Sequence, residues 1–129
     1  MKLVNFGAGE ICDRISILQL KITTGREKGR DTGHWESERA QLLTKIHAKT
    51  LNGAWFDGVL ELAAVNALIW HAEDDLRDHR IRDQHPSNDQ GVLETIRDLA
   101  FRLQSLNDRR AEIVHWINKE AGDGDAKDK

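Results

Sequence analysis

The chain has one cysteine, Cys12, one proline, Pro86, and no tyrosine. A lone cysteine excludes an internal disulfide framework and a cysteine-built zinc site, and it is the usual composition of a protein from a reducing compartment. A cytoplasmic location is the expectation. Proline at a single position leaves the backbone free to run in long unbroken helices. Charge of one sign is lacking too: 19 Lys and Arg face 22 Asp and Glu, a formal net charge of -3. This excludes the broad basic field that holds a nucleic-acid backbone or an anionic membrane. Long apolar runs are missing as well. The start, MKLVNFGAGE, falls short of the ~7 to 15 apolar residues of a signal-peptide core, and no segment approaches the ~18 that cross a bilayer.

What is present is a mixed-charge globular composition, 39% hydrophobic and 32% charged over 129 residues, enough to bury a core without staples. One domain over residues 1–121 is expected, with GDGDAKDK at 122–129 as a disordered tail. Spacing by threes and fours dominates, so the expected fold is all-α: a bundle of about four helices built on a long antiparallel hairpin. Ile11, Ile15, Leu18 and Ile22 mark the first helix, which fades at Gly25 to Gly33. Trp35, Leu42 and Ile46 mark the second, with Asp31 or Thr32 as cap, Arg39 filling the gap in the stripe, and Asn52-Gly53 as stop. Asp57 is the expected cap of the third helix, which reaches about Arg82. His85 to Asp89 reads as a turn. Val92, Ile96, Leu99, Leu103, Leu106, Ile113 and Ile117 give the fourth helix, with Arg110 in the one slot where an apolar residue is due. Heptad spacing of that length demands a second long helix as partner.

The stretch NALIWHAEDDLRDHRIRD at 66–83 concentrates the polar chemistry. At 100° per residue, Val59, Leu62, Ala63, Asn66, Ile69, Trp70, Glu73 and Arg77 share one side of the third helix, and His71, Asp75 and Asp78 the other. His71, Asp75 and His79 recur every four residues, but a rise of ~1.5 Å per residue sets the outer two ~12 Å apart. One metal ion cannot take both from a straight helix, so a solvated face is expected there, with a two-ligand site from His71 and Asp75 as the sharper alternative. No metal site and no cofactor are expected.

Glu73 and Arg77 lie on the apolar side at i, i+4 in the favourable order, which predicts a buried ion pair or the polar wall of a pocket. On the fourth helix Asn107, Arg110 and Asn118 share the core side, with Glu73 and Asn66 as expected partners, while Phe101 and Trp116 face outward and hint at a further packing surface. The first helix carries a second stripe, Ile17 and Leu20, beside Glu10 and Asp13, so it is central or at a subunit interface. Glu10 suits the helix N-terminus, Asp13 can pair with Arg77 or Arg110, and both acids are candidate proton acceptors. Cys12 falls at the edge of the apolar face and has no local histidine to activate it.

GEICDRISIL at 9–18, VNALIWHAEDDLR at 65–77 and NDRRAEIVHWIN at 107–118 together resemble an uncharacterised family of small bacterial and phage proteins. Its members often carry GEL-x-DK-x-TIL, IN-x-x-LW-x-x-ED-x-IR, ND-x-RA-x-I and IN. The pattern falls on Gly9, Glu10, Asp13, Asn66, Trp70, Glu73, Asp74, Arg77, Asn107, Asp108, Arg110 and Asn118. The resemblance implies a helical protein, often encoded near glycosyltransferase and surface-polysaccharide genes, and carries no activity with it. The tail departs from the family, which tends to continue with a glutamate-lysine-rich segment and an aromatic.

Two functional readings follow. The first is a non-enzymatic helical interaction or assembly module, a homo-oligomer or the binder of another protein, linked to surface polysaccharide synthesis by the resemblance. The second is a small helical enzyme or ligand-binding protein for a phosphorylated or carboxylated molecule. Its tentative ligand residues are Asn66, Trp70, Glu73, Arg77, Asn107 and Arg110, with Glu10 and Asp13 as an acid cluster. Glu10-x-x-Asp13 is one turn of the kind that helical nucleotide pyrophosphohydrolases pair on adjacent helices, but the third helix offers only Asp75-x-x-Asp78, pointing away from the core.

Overall fold

A computed structural model describes residues 7–46, 52–82 and 90–122, with backbone alone for 79–82 and 90. The fold is all-α: α1 (Ala8–Glu27), α2 (Gly33–Ile46), α3 (Gly53–Arg82) and α4 (Gln90–Glu120). The expected turn at 85–89 and the tail beyond Gly122 lie outside the described residues.

The two long helices, 30 and 31 residues, make the most extensive contact and run antiparallel. Gly58 near the start of α3 meets Trp116 and Ile117, Glu61 meets Arg109, and Ala72 and Asp75 lie beside Leu99 and Arg102. Their shared core holds Trp55, Leu62, Val65, Ile69, Ile113, Val114 and Ile117. Each fully buried aliphatic among them contributes roughly 1.5 to 3 kcal/mol. α1 adds Ala8 and Cys12 to that core. Its other side carries Ile11 and Leu18 to a second cluster with Leu42 of α2. α1 is therefore the central helix, in contact with all three others, whereas α2 packs chiefly on α1, with Ile46 at its end against the shared core. That centrality accounts for the two apolar stripes of α1.

Two glycines set the close approaches. A Cβ on Gly9 would stand 2.2 Å from the Val114 carbonyl oxygen, and one on Gly58 would stand 2.5 Å from the Trp116 ring. Only a residue without a side chain lets these helices come so near. Phe101 and Trp116 are exposed, as expected, at 64% and 37%, and Trp116 also lies over Gly58 at the α3–α4 seam.

Helix starts correct one boundary. Asn52, expected as part of a stop, caps α3: its Oδ1 accepts from the Trp55 N–H at 2.8 Å. Asp57, the expected cap, lies inside the helix. A chain segment that ends one helix and starts the next offers both Gly-type stop and Asx-type start signals, and here the capping oxygen wins. At α2, Asp31 Oδ1 accepts from Gly33 N–H at 2.9 Å.

Candidate functional site

The polar residues of the core are tied across helices, not within the hairpin as the sequence predicted. Asn66, 3% exposed, donates through Nδ2 to Asp13 Oδ1 at 2.7 Å and to Ser16 Oγ at 2.6 Å. Asp13 is thus held by α3's amide rather than by Arg77 or Arg110. Asn118, 5% exposed, accepts the Gly9 N–H at 2.6 Å and donates to both oxygens of Glu10 at 2.9 and 3.0 Å. Glu10 also accepts the Gly7 N–H at 3.0 Å, the backward half of a capping box. So the acids Glu10 and Asp13 anchor α1 to α4 and α3 respectively, and Asn66 and Asn107 do not meet. Asn107 donates to the Leu103 carbonyl of its own helix at 3.0 Å.

The predicted buried pair of Glu73 and Arg77 is absent. Both residues are exposed, and Arg77 pairs with Asp74, one turn away. The cause is a drift of the seam. Trp55, Gly58, Leu62, Val65, Ile69, Ala72 and Leu76 form the buried row of α3, with Asn66 beside it, a heptad row that a 100° wheel loses by ~20° per seven residues. Over the two heptads after Val59, that error moves Glu73 and Arg77 from the middle of the face to its edge or beyond. Ala63, on the far side of Val59 from that row, is exposed as well.

At that edge the structure does bring together four of the predicted residues. Asn66, Trp70 and Glu73 of α3 and Arg110 of α4 line a groove of about 170 Å³ whose remaining walls are Ile17, Leu20 and Lys21 of α1, with Ile69 at its base. Arg77 and Asn107 do not line it. Among the described residues neither Arg110 nor Lys21 forms an ion pair, and the Oδ1 of Asn66 is buried without a hydrogen-bond partner. A buried acceptor left unmatched costs about 1 to 3 kcal/mol.

Sequence reasoning missed Lys21, because its place beside the groove depends on how α1 crosses the hairpin. It also missed a second cleft, about 300 Å³, where Asp57, Glu61 and Glu112 surround Arg109 beside Trp116 and Ile113. Arg109 is bonded to Glu61 and Glu112 there, and these hydrogen bonds, Glu61 first, raise its already high pKa. On the opposite flank from the groove, His71 and Asp75 share a shallow cleft with Leu68 and Arg102. No set of three metal-ligating side chains is assembled among the described residues.

Burial, and next the neighbouring Asp13 charge, push the Cys12 thiol up to about 12, so it stays protonated and unreactive. The hydrogen bond from Arg14 holds the Glu38 carboxyl below its ordinary value, and the hydrogen bonds from Thr32 and then Arg26 do the same for Glu36. These pairs fasten α2 to α1. No family model, curated protein or solved structure matches this chain.

Proposed function

We propose that this protein is a non-enzymatic helical assembly module that pairs with a second copy of itself along the outer side of α3. The observation that carries the reading is a second apolar stripe on α3. Phe56 at 58%, Leu60 at 54% and Leu68 at 43% are exposed, with exposed Ala63 and Ala64 and half-buried Ala67 between them. From Phe56 to Leu68 the stripe runs ~18 Å. A helix apolar on two sides has a second surface to cover.

The stripe is self-complementary: large side chains at its ends and alanines at its middle. Two copies crossing antiparallel about Ala63 and Ala64 seat Phe56 and Leu60 of one against Leu68 of the other, an isologous contact. Asp57 at one end of the stripe then approaches His71 at the other, an acceptor beside a ring that carries an N–H donor. Glu10 and Asp13 serve as acceptors in helix-to-helix bonds, a structural role that calls for no chemistry and supports the same reading. The resemblance to the small bacterial and phage family suggests surface polysaccharide synthesis as the setting.

Sedimentation velocity over a range of concentrations tests the reading. A dimer is expected, converted to monomer by Leu60→Glu with unchanged helical content. A wild-type chain that stays monomeric at every concentration overturns it. A second reading, binding of a carboxylated small molecule, is supported by Arg110 and Lys21 standing without ion-pair partners in the groove.

A further inference from the structure

We infer that the groove between α1, α3 and α4 is a binding site for a small aliphatic amino acid, taken up as its zwitterion. The inference rests on the ligand-binding reading and is independent of self-association. Three observations select the ligand class.

Size comes first. At about 170 Å³, the groove lies below the ~300 to 1,000 Å³ of sites that enclose drug-sized ligands. A nucleotide or sugar nucleotide could seat only a small part of itself there. The second observation is charge. Arg110 and Lys21 supply two positive groups and Glu73 one negative group to the same groove, and none of the three is in an ion pair among the described residues. Lys21 is also near enough to Glu38 to lower that carboxyl, behind the larger effect of Arg14. A phosphate would meet the two cations but be repelled by Glu73. A zwitterion places its carboxylate against Arg110 and Lys21 and its ammonium toward Glu73, matching both signs.

The third observation is Asn66. Its Nδ2 is fully engaged by Asp13 and Ser16, so the amide cannot flip, and its buried Oδ1 is left as an acceptor in need of a donor. An ammonium is such a donor. The atom is covered as the groove stands, so a side chain at the mouth must rotate for the ligand to reach it. Ile17, Leu20 and the half-buried Trp70 leave an aliphatic side chain apolar walls to rest on. Every group in the groove is then matched: cations to carboxylate, acceptors to ammonium, apolar wall to apolar tail.

The test is an NMR titration of the full chain, following the Asn66 side-chain amide and the Trp70 indole N–H. Four probes are used: L-leucine, 4-methylpentanoate (no ammonium), 3-methylbutylamine (no carboxylate) and inorganic phosphate. L-Leucine is expected to produce saturable shifts at both reporters with a Kd in the millimolar range or tighter, as suits a ligand of few atoms. The two one-charge analogues are expected to bind at least about tenfold more weakly, a loss of roughly 1.4 kcal/mol. Arg110→Met and Glu73→Gln, at half-buried and exposed positions, should each weaken L-leucine while leaving the spectrum otherwise folded. Binding of the carboxylate or phosphate as well as L-leucine would overturn the amino-acid class while leaving a carboxylate or anion site standing. No saturable shift with any probe would overturn the ligand-binding reading itself. L-Leucine shifts unaltered by both variants would place the ligand elsewhere and overturn the site.

Discussion

Asn118 shows how one side chain can hold two elements in register. Its oxygen receives the Gly9 N–H and its nitrogen serves both oxygens of Glu10, all with 5% of the residue exposed. Asn118→Leu keeps the volume and removes these bonds, leaving the buried Gly9 N–H unmatched while Glu10 keeps its bond from the Gly7 N–H. A loss of about 1 to 3 kcal/mol is expected, the cost of one orphaned buried group. Urea denaturation should report it as a lower midpoint with an unchanged slope. Cys12 gives a second residue-scale expectation. The unfolded thiol ionises near its ordinary 9.0, the folded one only at about 12. Below 9 both states hold the proton and nothing is lost. As pH rises from 9 toward 12 the unfolded chain alone releases it, so stability should fall by up to about 1.4 kcal/mol per pH unit. With no tyrosine in the chain, comparison of wild type and Cys12→Ala by alkaline denaturation isolates the effect: the variant should lack that part of the slope.

At the scale of elements, the α3–α4 seam depends on Trp116 lying over Gly58. Gly58→Ala improves helix propensity by about 1 kcal/mol, yet its Cβ would stand 2.5 Å from the indole. The single variant should therefore be destabilised, and Gly58→Ala in a Trp116→Ala background should be neutral or stabilising. A double-mutant cycle by thermal or chemical denaturation reads the coupling. The α1–α2 pair is fastened differently, by Arg14 with Glu38, Arg26 with Glu36 and Arg39 with Gln19. Glu36 and Glu38 both have lowered carboxyl pKa values. Their contribution is present above the ordinary 4.5 and is lost as pH falls through the lower folded values. Acid should loosen α2 before the hairpin, and Glu38→Gln should make that loosening less steep with pH. Trp35, which packs beside the α1–α2 cluster, is the fluorescent reporter.

For the whole molecule, the contact pattern predicts an order of opening. α2 packs chiefly on α1 and reaches the shared core only through Ile46, whereas α1, α3 and α4 build that core. Native-state hydrogen exchange should find the α2 amides opening at lower free energy than those around Leu62, Ile69, Ile113 and Ile117. Equal protection throughout would show that α2 unfolds only with the rest. Self-association through the α3 stripe acts at this scale too, and should protect the amides of 56–68 more strongly as concentration rises.

Much of the architecture was legible because helical spacing is a local property. The apolar steps of Ile11 to Ile22 and Val92 to Ile117 mark α1 and α4 without reference to any neighbour. The start of α3 was misplaced onto Asp57 because Asn52-Gly53 carries both a stop and a cap signal, and only the bond from Trp55 N–H to Asn52 decides between them. Asn66, Trp70, Glu73 and Arg110, grouped by their faces, line the groove, while Arg77 and Asn107 lie outside it, in part because a fixed 100° wheel drifts along a 30-residue helix packed with a heptad seam.

The sequence by itself thus determined the helical class, the long hairpin and the inward placing of Asn66 and Asn118, since these follow from periodicity and composition. Which residues those two meet was decided only by the tertiary structure. Asn66 bonds to Asp13 across a separation of 53 residues, and Asn118 to Glu10 across 108. Pairings at such distances depend on how α1 crosses the hairpin, and that crossing is set by Gly9 against Val114 and by the shared core, not by any local spacing. For the same reason Lys21 and Arg110, nearly ninety positions apart in sequence and on helices of opposite direction, come to line one groove.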